Sequence, residues 1–220
     1  MKSYTTIPKW KPEDFGKYVH GFYKIDGSNF RAEWNRKLSK KSNFTAGFNK
    51  FGTRNEVINK NNSFFEGVDI FDKKFAIELD QIFSDNKIFR GVDRITVYGE
   101  FFGDKSFAGI HDWDEPHDIY LYDAFLYKKG YLSPSEFVKA FDEVECCERL
   151  FQGVFDETIL KQVEDNIVPA TVHPRASWVL EEGVVFKGVE EGKVFMFKVK
   201  TNEWLNKVKE LYGEKRMAEY

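Results

Sequence analysis

The stretch Gly21-Phe22-Tyr23-Lys24-Ile25-Asp26-Gly27-Ser28-Asn29-Phe30 runs from apolar and aromatic residues into a charged turn and out again. From Gly21 to Thr53 aromatic and small residues alternate with polar ones, and Gly27, Gly47 and Gly52 punctuate the run. That pattern predicts β-strands broken by turns. A lysine closing a strand, followed by a carboxylate and a glycine turn, is placed like a covalent nucleophile: the turn presents the amine of Lys24, and Asp26 can orient it. An ordinary lysine has a pKa of about 10.4 and is almost wholly protonated at neutral pH, so neighbouring cations and burial would have to lower it. Taken alone, the six residues from Lys24 to Asn29 read as a surface lysine before an ordinary turn. Other segments change that reading.

Working outward, a broad apolar stripe of Ile70, Phe71, Phe75, Ile77, Leu79, Ile82 and Phe83 predicts a helix from Asp69 to Phe83. Arg94 to Phe102 and Asp118 to Tyr127 are rich in β-branched and aromatic residues and predict strands. Ser133-Pro134 is an N-cap followed by proline at the first helical position, opening a helix through Phe137, Ala140, Phe141 and Val144. A further helix is expected from Asp156 to Asn166. Trp178 to Val189 and Lys193 to Lys200 read as strands joined at Glu190-Glu191-Gly192, and Asn202 to Tyr212 as a closing amphipathic helix. Strands at both ends and helices between them predict an α+β fold of antiparallel sheets flanked by helices, organised as one domain over residues 1–220.

The 220 residues are enough for a sizeable core, and 42% apolar with 31% charged residues is the composition of a folded chain. No apolar run approaches the roughly 20 residues that span a bilayer, and Met1 to Trp10 lacks the apolar centre of a secretory signal. A cytoplasmic, membrane-free protein is expected. Cys146 and Cys147 are adjacent, so no disulfide framework is expected, and the pair reads as packing on an amphipathic helix. The net charge of −3 argues against a generally basic surface, but Asn35 to Asn62 carries seven basic residues and one acid. Phe44, Phe48 and Phe51 lie within that stretch; they suit base stacking beside phosphate contacts, or equally a basic loop with its phenylalanines turned into the core.

Several segments supply what attack on a nucleotide phosphate needs. Arg54 offers a bidentate contact to phosphate or sugar. Glu100, in Val97-Tyr98-Gly99-Glu100-Phe101-Phe102-Gly103, is a carboxylate in an otherwise apolar strand and suits a ribose hydroxyl. Tyr120 and Tyr122, in Asp118-Ile119-Tyr120-Leu121-Tyr122-Asp123, can stack on a purine or pack in the core. Glu182, in Glu182-Gly183-Val184-Val185-Phe186-Lys187, can hold Mg²⁺. Lys198 and Lys200 are two apart on a strand, so their amines share a face and can hold a triphosphate in line. His111 and His117, with acids nearby, fit no structural zinc spacing and read as a polar loop.

In this order K-x-D-G-x-N, Arg54, Y-G-E-F-F-G, Y-L-Y-D, E-G-V-V-F-K and K-V-K resemble the covalent nucleotidyltransferase superfamily of ligases and capping enzymes. Asn29-Phe30 looks most like the T4 RNA ligase 2 and RNA-editing ligase branch, whereas Asp26 is similar to the DNA-ligase form. The resemblance implies an ATP-grasp-like ligase domain with a central nucleotide cleft. It implies an ATP-dependent RNA ligase in which Lys24 carries a covalent AMP, and Asp26, Lys198 and Lys200 share the catalytic work. It implies nucleotide contacts from Tyr23, Ile25, Asn29, Arg54, Glu100, Tyr122, Glu182 and Val185, and Mg²⁺ at Glu182 and Asp123. The substrate it implies is nucleic acid with 5′-phosphate and 3′-hydroxyl ends, RNA before DNA. Neither the OB domain nor the helical C-terminal domain of such ligases is expected within the chain, which leaves room for a partner protein. The alternatives are a DNA ligase or capping enzyme, and a non-catalytic nucleotide- or RNA-binding module.

Overall fold

The computed structural model describes residues 1–41, 45–59, 61–62, 64–169 and 180–217. In chain order the elements are β1 (Tyr18–Lys24), β2 (Ser28–Asn35), α1 (Arg36–Ser39), β3 (Phe48–Thr53), α2 (Phe65–Phe71), α3 (Ile77–Asp85), β4 (Arg94–Gly103), β5 (His117–Leu126) and β6 (Gly130–Tyr131). Then follow α4 (Pro134–Ala140), β7 (Arg149–Val154), α5 (Glu157–Glu164), β8 (Gly183–Glu190), β9 (Lys193–Lys200) and α6 (Asn202–Met217). The fold is α+β, with two antiparallel sheets and accompanying helices, as the sequence predicts. Two compact units share the chain: Met1–Thr5 with Gly27–Cys146, and Thr6–Asp26 with Cys147–Tyr220.

The first unit is built on the sheet β3-β2-β4-β5-β6. Alternation along β2 and β4 sends Phe30, Ala32, Trp34, Ile95, Val97 and Phe101 to one face, all of them buried. The helical segment from Phe65 to Asp85 covers that face: Phe71 packs 5.6 Å from Phe30, and Phe83 5.4 Å from Trp34, ring centre to ring centre. A π-helical stretch, Asp72–Ala76, joins α2 to α3. Within it Lys74 reaches both carboxylate oxygens of Asp118 and the carbonyl of Ile119. The opposite sheet face is polar, and the N-terminal residues lie along it. The Met1 amine pairs with Glu33 at 3.2 Å, Arg31 donates to Ser3 Oγ, and the Tyr4 hydroxyl donates to Asp123 at 2.8 Å.

The second unit is built on the sheet β7-β1-β8-β9. Val19, Val184, Phe186, Phe197 and Val199 form its apolar face, packed with Phe155 and with Leu160 and Val163 of α5. The outer edge of β9 is closed by Pro8–Trp10: Lys198 donates to the Pro8 carbonyl at 2.9 Å, and Trp10 donates back to Lys198 at 3.1 Å. Among the described residues no helix is long and apolar enough to cross a membrane.

Several boundaries differ from the expectation. The helix predicted from Asp69 begins at Phe65, and Gly67 within it lets the backbone approach Phe30 and Phe101; a Cβ there would stand 3.1 Å from the Phe30 ring. β8 starts at Gly183, with Trp178 outside the described residues and Glu181 and Glu182 in the loop before the strand. α4 stops at Ala140, so Val144, Cys146 and Cys147 lie in the connection to β7 and not on a helix. β7 itself goes unpredicted, since Gln152 and Gly153 break its apolar pattern and only pairing with β1 makes it a strand. Phe48 and Phe51 pack on Phe71, at 4.9 and 5.8 Å, so they serve the core and not base stacking; Phe44 and Lys60 fall outside the described residues.

Candidate active site

β1, β8 and β9 align Lys24, Gly183 and Lys200 in one row across the second unit's sheet, and Phe22, Val185 and Lys198 in the next row but one. Residues directly opposite share a face, as do residues two apart along a strand. Lys24, Lys198, Lys200 and Val185 therefore all project from the face opposite the apolar core. Gly183, φ +149°, separates the two lysines of the first row; a Cβ there would lie 2.1 Å from the Val199 carbonyl oxygen. Only glycine can stand in that position.

Glu182 comes off the start of β8 and places its carboxylate between the lysines. Lys24 Nζ donates to Glu182 Oε2, and Lys200 Nζ pairs with Glu182 Oε1. The side chains are 18% exposed for Lys24, 6% for Glu182 and 4% for Lys200, so the trio is shielded from solvent while the Lys24 amine stays reachable. Burial alone would raise the Glu182 pKa, but the charges of Lys24 and Lys200 outweigh it and hold the carboxyl below its ordinary range. Lys200 is brought down to about 8, chiefly by burial and further by the Lys24 charge, against the pull of Glu182.

Asp26 is buried, and its carboxylate accepts from the indole N–H of Trp204 at 2.8 Å, while its own backbone N–H donates to Glu181 Oε2 at 3.3 Å. The turn after Lys24 is thus anchored by α6 and by the loop before β8. Ile25 is buried within that turn. Tyr23 points to the apolar side, and its backbone N–H is given to the Glu148 carbonyl at 2.9 Å. Trp204 and Glu181 are members of this cluster that the sequence reading leaves out. Trp204 was legible only as one residue of an apolar helix stripe, and Glu181 as a neighbour of Glu182.

The first unit carries the remaining predicted residues on its polar face. Asn29, Glu100 and Tyr120 stand opposite one another across β2, β4 and β5. The β4–β5 register slips between Tyr98 and Gly99, leaving Tyr122 as the extra residue. That bulge turns Tyr122 to the same side as Asp123 and brings its hydroxyl to Asn29 Nδ2, which donates to it. Asn29 Oδ1 is buried and accepts no hydrogen bond among the described residues. Tyr122 has its pKa raised well above the ordinary phenol value, first by burial and then by Glu100; the positive charge of Arg54, on the exposed turn after β3, acts in the other direction.

A divalent ion does not fit the two carboxylates proposed for it as they stand. Both oxygens of Glu182 are engaged by ammonium groups. Asp123 is in the interior, accepting from Tyr4 and from the Ala124 backbone at 2.8 Å each. Among the described residues no three His, Cys, Asp or Glu side chains gather to hold a metal. His111 bridges Ser106 and Ser28 at 2.8 Å each, and His117 stacks on Phe101 with Nδ1 3.2 Å from Glu66.

The RNA ligase family model matches residues 17–200 of the chain. No curated protein matches it. Solved structures do: the Naegleria gruberi RNA ligase with pyrophosphate, at TM-score 0.63 and 21% identity, covers 95% of this chain and 58% of its own. An arginine-to-alanine mutant of that ligase with ATP and Mn gives TM-score 0.64 at 21% identity, with 94% and 58% covered. A glutamate-to-alanine mutant with AMP and Mn gives 0.61 at 19%, with 94% and 58% covered. The chain therefore spans a little under three fifths of the length of these structures, and at such identities the likeness is one of fold.

Proposed function

The chain belongs to the RNA ligase family, and from that membership we propose that it is an ATP-dependent RNA-joining enzyme whose Lys24 becomes covalently adenylylated. The observation that carries the reading is the buried trio of Lys24, Glu182 and Lys200, one carboxylate holding two amines on a single sheet face. A reactive amine fixed beside a second cation is what in-line attack on a phosphoryl group calls for.

Lys24, having released a proton to solvent, attacks the α-phosphorus of ATP. The N–P bond forms as the bond to the bridging oxygen breaks, pyrophosphate leaves, and the nitrogen gives a further proton to water. Lys198 and Lys200 hold the phosphate oxygens and offset the charge that gathers on them. Asn29 and Arg54 contact the phosphate or sugar, with the open Oδ1 of Asn29 an acceptor for a ribose hydroxyl. The resemblance to such ligases assigns Glu100 to the ribose, Tyr122 and Val185 to the adenine, and the backbone at Tyr23 and Ile25 to its edge. The divalent ion that accompanies ATP is carried by phosphate oxygens, its preferred ligands.

An oxygen of an RNA 5′-phosphate then attacks the AMP phosphorus, the N–P bond breaks, and the lysine nitrogen regains its protons. Finally a 3′-hydroxyl attacks the activated 5′-phosphorus, loses its proton to water, and expels AMP as the phosphodiester forms. RNA is the favoured substrate, and we place the protein in the cytoplasm.

Incubation with labelled ATP and Mg²⁺ should leave AMP on Lys24, located by peptide mass. A wild-type protein that takes up no label would remove the proposal. Nicked RNA, nicked DNA and single strands offered in parallel decide the substrate, and preferential sealing of DNA would replace RNA with DNA in the reading.

A further inference from the structure

Trp204 stands where three parts of the second unit meet. β9 ends at Lys200, and Thr201 caps the helix that follows: its hydroxyl accepts from the Trp204 backbone N–H at 3.1 Å, and its own N–H donates to the Glu182 carbonyl at 3.1 Å. One turn into α6, the capped backbone brings the Trp204 ring back beneath the end of β9, where Lys200 Nζ lies 3.6 Å from the ring centre. The edge of the same ring gives its N–H to Asp26 Oδ2 at 2.8 Å. Trp204 is only 4% exposed, so both contacts are made away from water, where a cation on an aromatic face and a hydrogen bond to a carboxylate are each strengthened.

We propose that Trp204 is a positioning residue for lysine adenylylation: through its N–H it sets the turn that aims Lys24, and through its ring it keeps Lys200 charged. The proposal rests on the adenylylation reading above. Both lysines compete for one carboxylate, and the reaction needs them in different states, Lys24 as a neutral amine and Lys200 as a cation gripping phosphate. The ring face meets Lys200 Nζ 3.6 Å from its centre, a contact that favours the charged form of Lys200. Its edge, by fixing Asp26, fixes the backbone two residues past the nucleophile. Packing alone would be met by any apolar side chain of similar size and would require neither contact.

The test is the single-turnover rate of lysyl-AMP formation against pH in the full chain. The wild type is measured first: if it takes no label, the function proposed above fails and Trp204 is not at issue. With a labelled wild type, Trp204→Phe keeps the ring and loses the N–H. It should slow the reaction about tenfold, the size of one hydrogen bond to a charged group, with the alkaline limb of the profile unmoved. Asp26→Asn in the Trp204→Phe background should add little further loss, because the two groups act as one. Trp204→Leu removes the ring as well and should move the alkaline limb about one pH unit lower. Wild-type rates in Trp204→Phe, additive losses in the double variant, or a Trp204→Leu profile with the wild-type alkaline limb would each overturn the proposal. If Trp204→Leu fails to fold, the Phe variant and its combination with Asp26→Asn decide it alone.

Discussion

Lys24 and Lys200 are held on the two oxygens of a single carboxylate, that of Glu182, with Gly183 lying between them in the sheet. The arrangement buries two positive charges against one negative charge. It is tolerable because each ammonium has a direct partner, and it holds both amines where an incoming phosphate can meet them.

Removing the shared carboxylate should therefore be costly on both counts. Glu182→Gln removes the counter-charge that Lys24 and Lys200 share, a loss of about 3–5 kcal/mol of stability by analogy with broken buried pairs. Denaturant unfolding would measure it. Lysyl-AMP formation should fall at least ~100-fold, the scale of a lost electrostatic contact at a reacting phosphate.

Alkaline pH should act oppositely on activity and on stability. Lys200 releases its proton near about 8 in the folded chain, whereas an unfolded lysine holds it to roughly 10.4. Between those values the unfolded chain binds more protons, so the contribution of this group to stability rises with pH across the window. The grip on phosphate is lost over the same window, so adenylylation should decline above about pH 8. A rate that falls in step with unfolding, followed by circular dichroism at each pH, would contradict this.

On the first unit, Tyr122→Phe deletes the hydroxyl that accepts from Asn29. The amide then loses its anchor next to the proposed sugar contact. The KM for ATP should rise roughly 5- to 10-fold with a smaller change in the maximal rate, the effect of about one hydrogen bond. Steady-state pyrophosphate release gives both parameters.

Gly183→Ala probes the spacing of the two lysines. Its Cβ would sit 2.1 Å from the Val199 carbonyl oxygen, and the backbone has φ +149°. β8 and β9 must part to admit it, at a cost of about 3 kcal/mol or more. A melting temperature equal to that of the wild type would show that the row is looser than described.

A substitution away from the site should separate fold from chemistry. Lys74→Met breaks the link from the π-helical stretch to Asp118 and to Glu145, which Lys74 meets at 3.0 Å. A loss of about 1–2 kcal/mol is expected, the worth of charged hydrogen bonds at a half-buried position. The rate of lysyl-AMP formation, measured at a temperature where the variant stays folded, should match the wild type.

What the sequence by itself determined was the local pattern. Alternation at a period of two places Lys198 and Lys200 on one strand face, and glycine after Lys24-Ile25-Asp26 marks a turn at the end of a strand; both are properties of a few consecutive residues. The ordered motifs likewise indicated the α+β fold and the family to which the chain belongs. Only the tertiary structure decided the partners. That Glu182 is shared by two lysines, that Asp26 answers to Trp204, and that a bulge turns Tyr122 toward Asn29 all follow from strand register and helix placement between distant segments. Such contacts arise from pairing and burial across the whole unit, and a one-residue change of register would send each of these side chains to the opposite face.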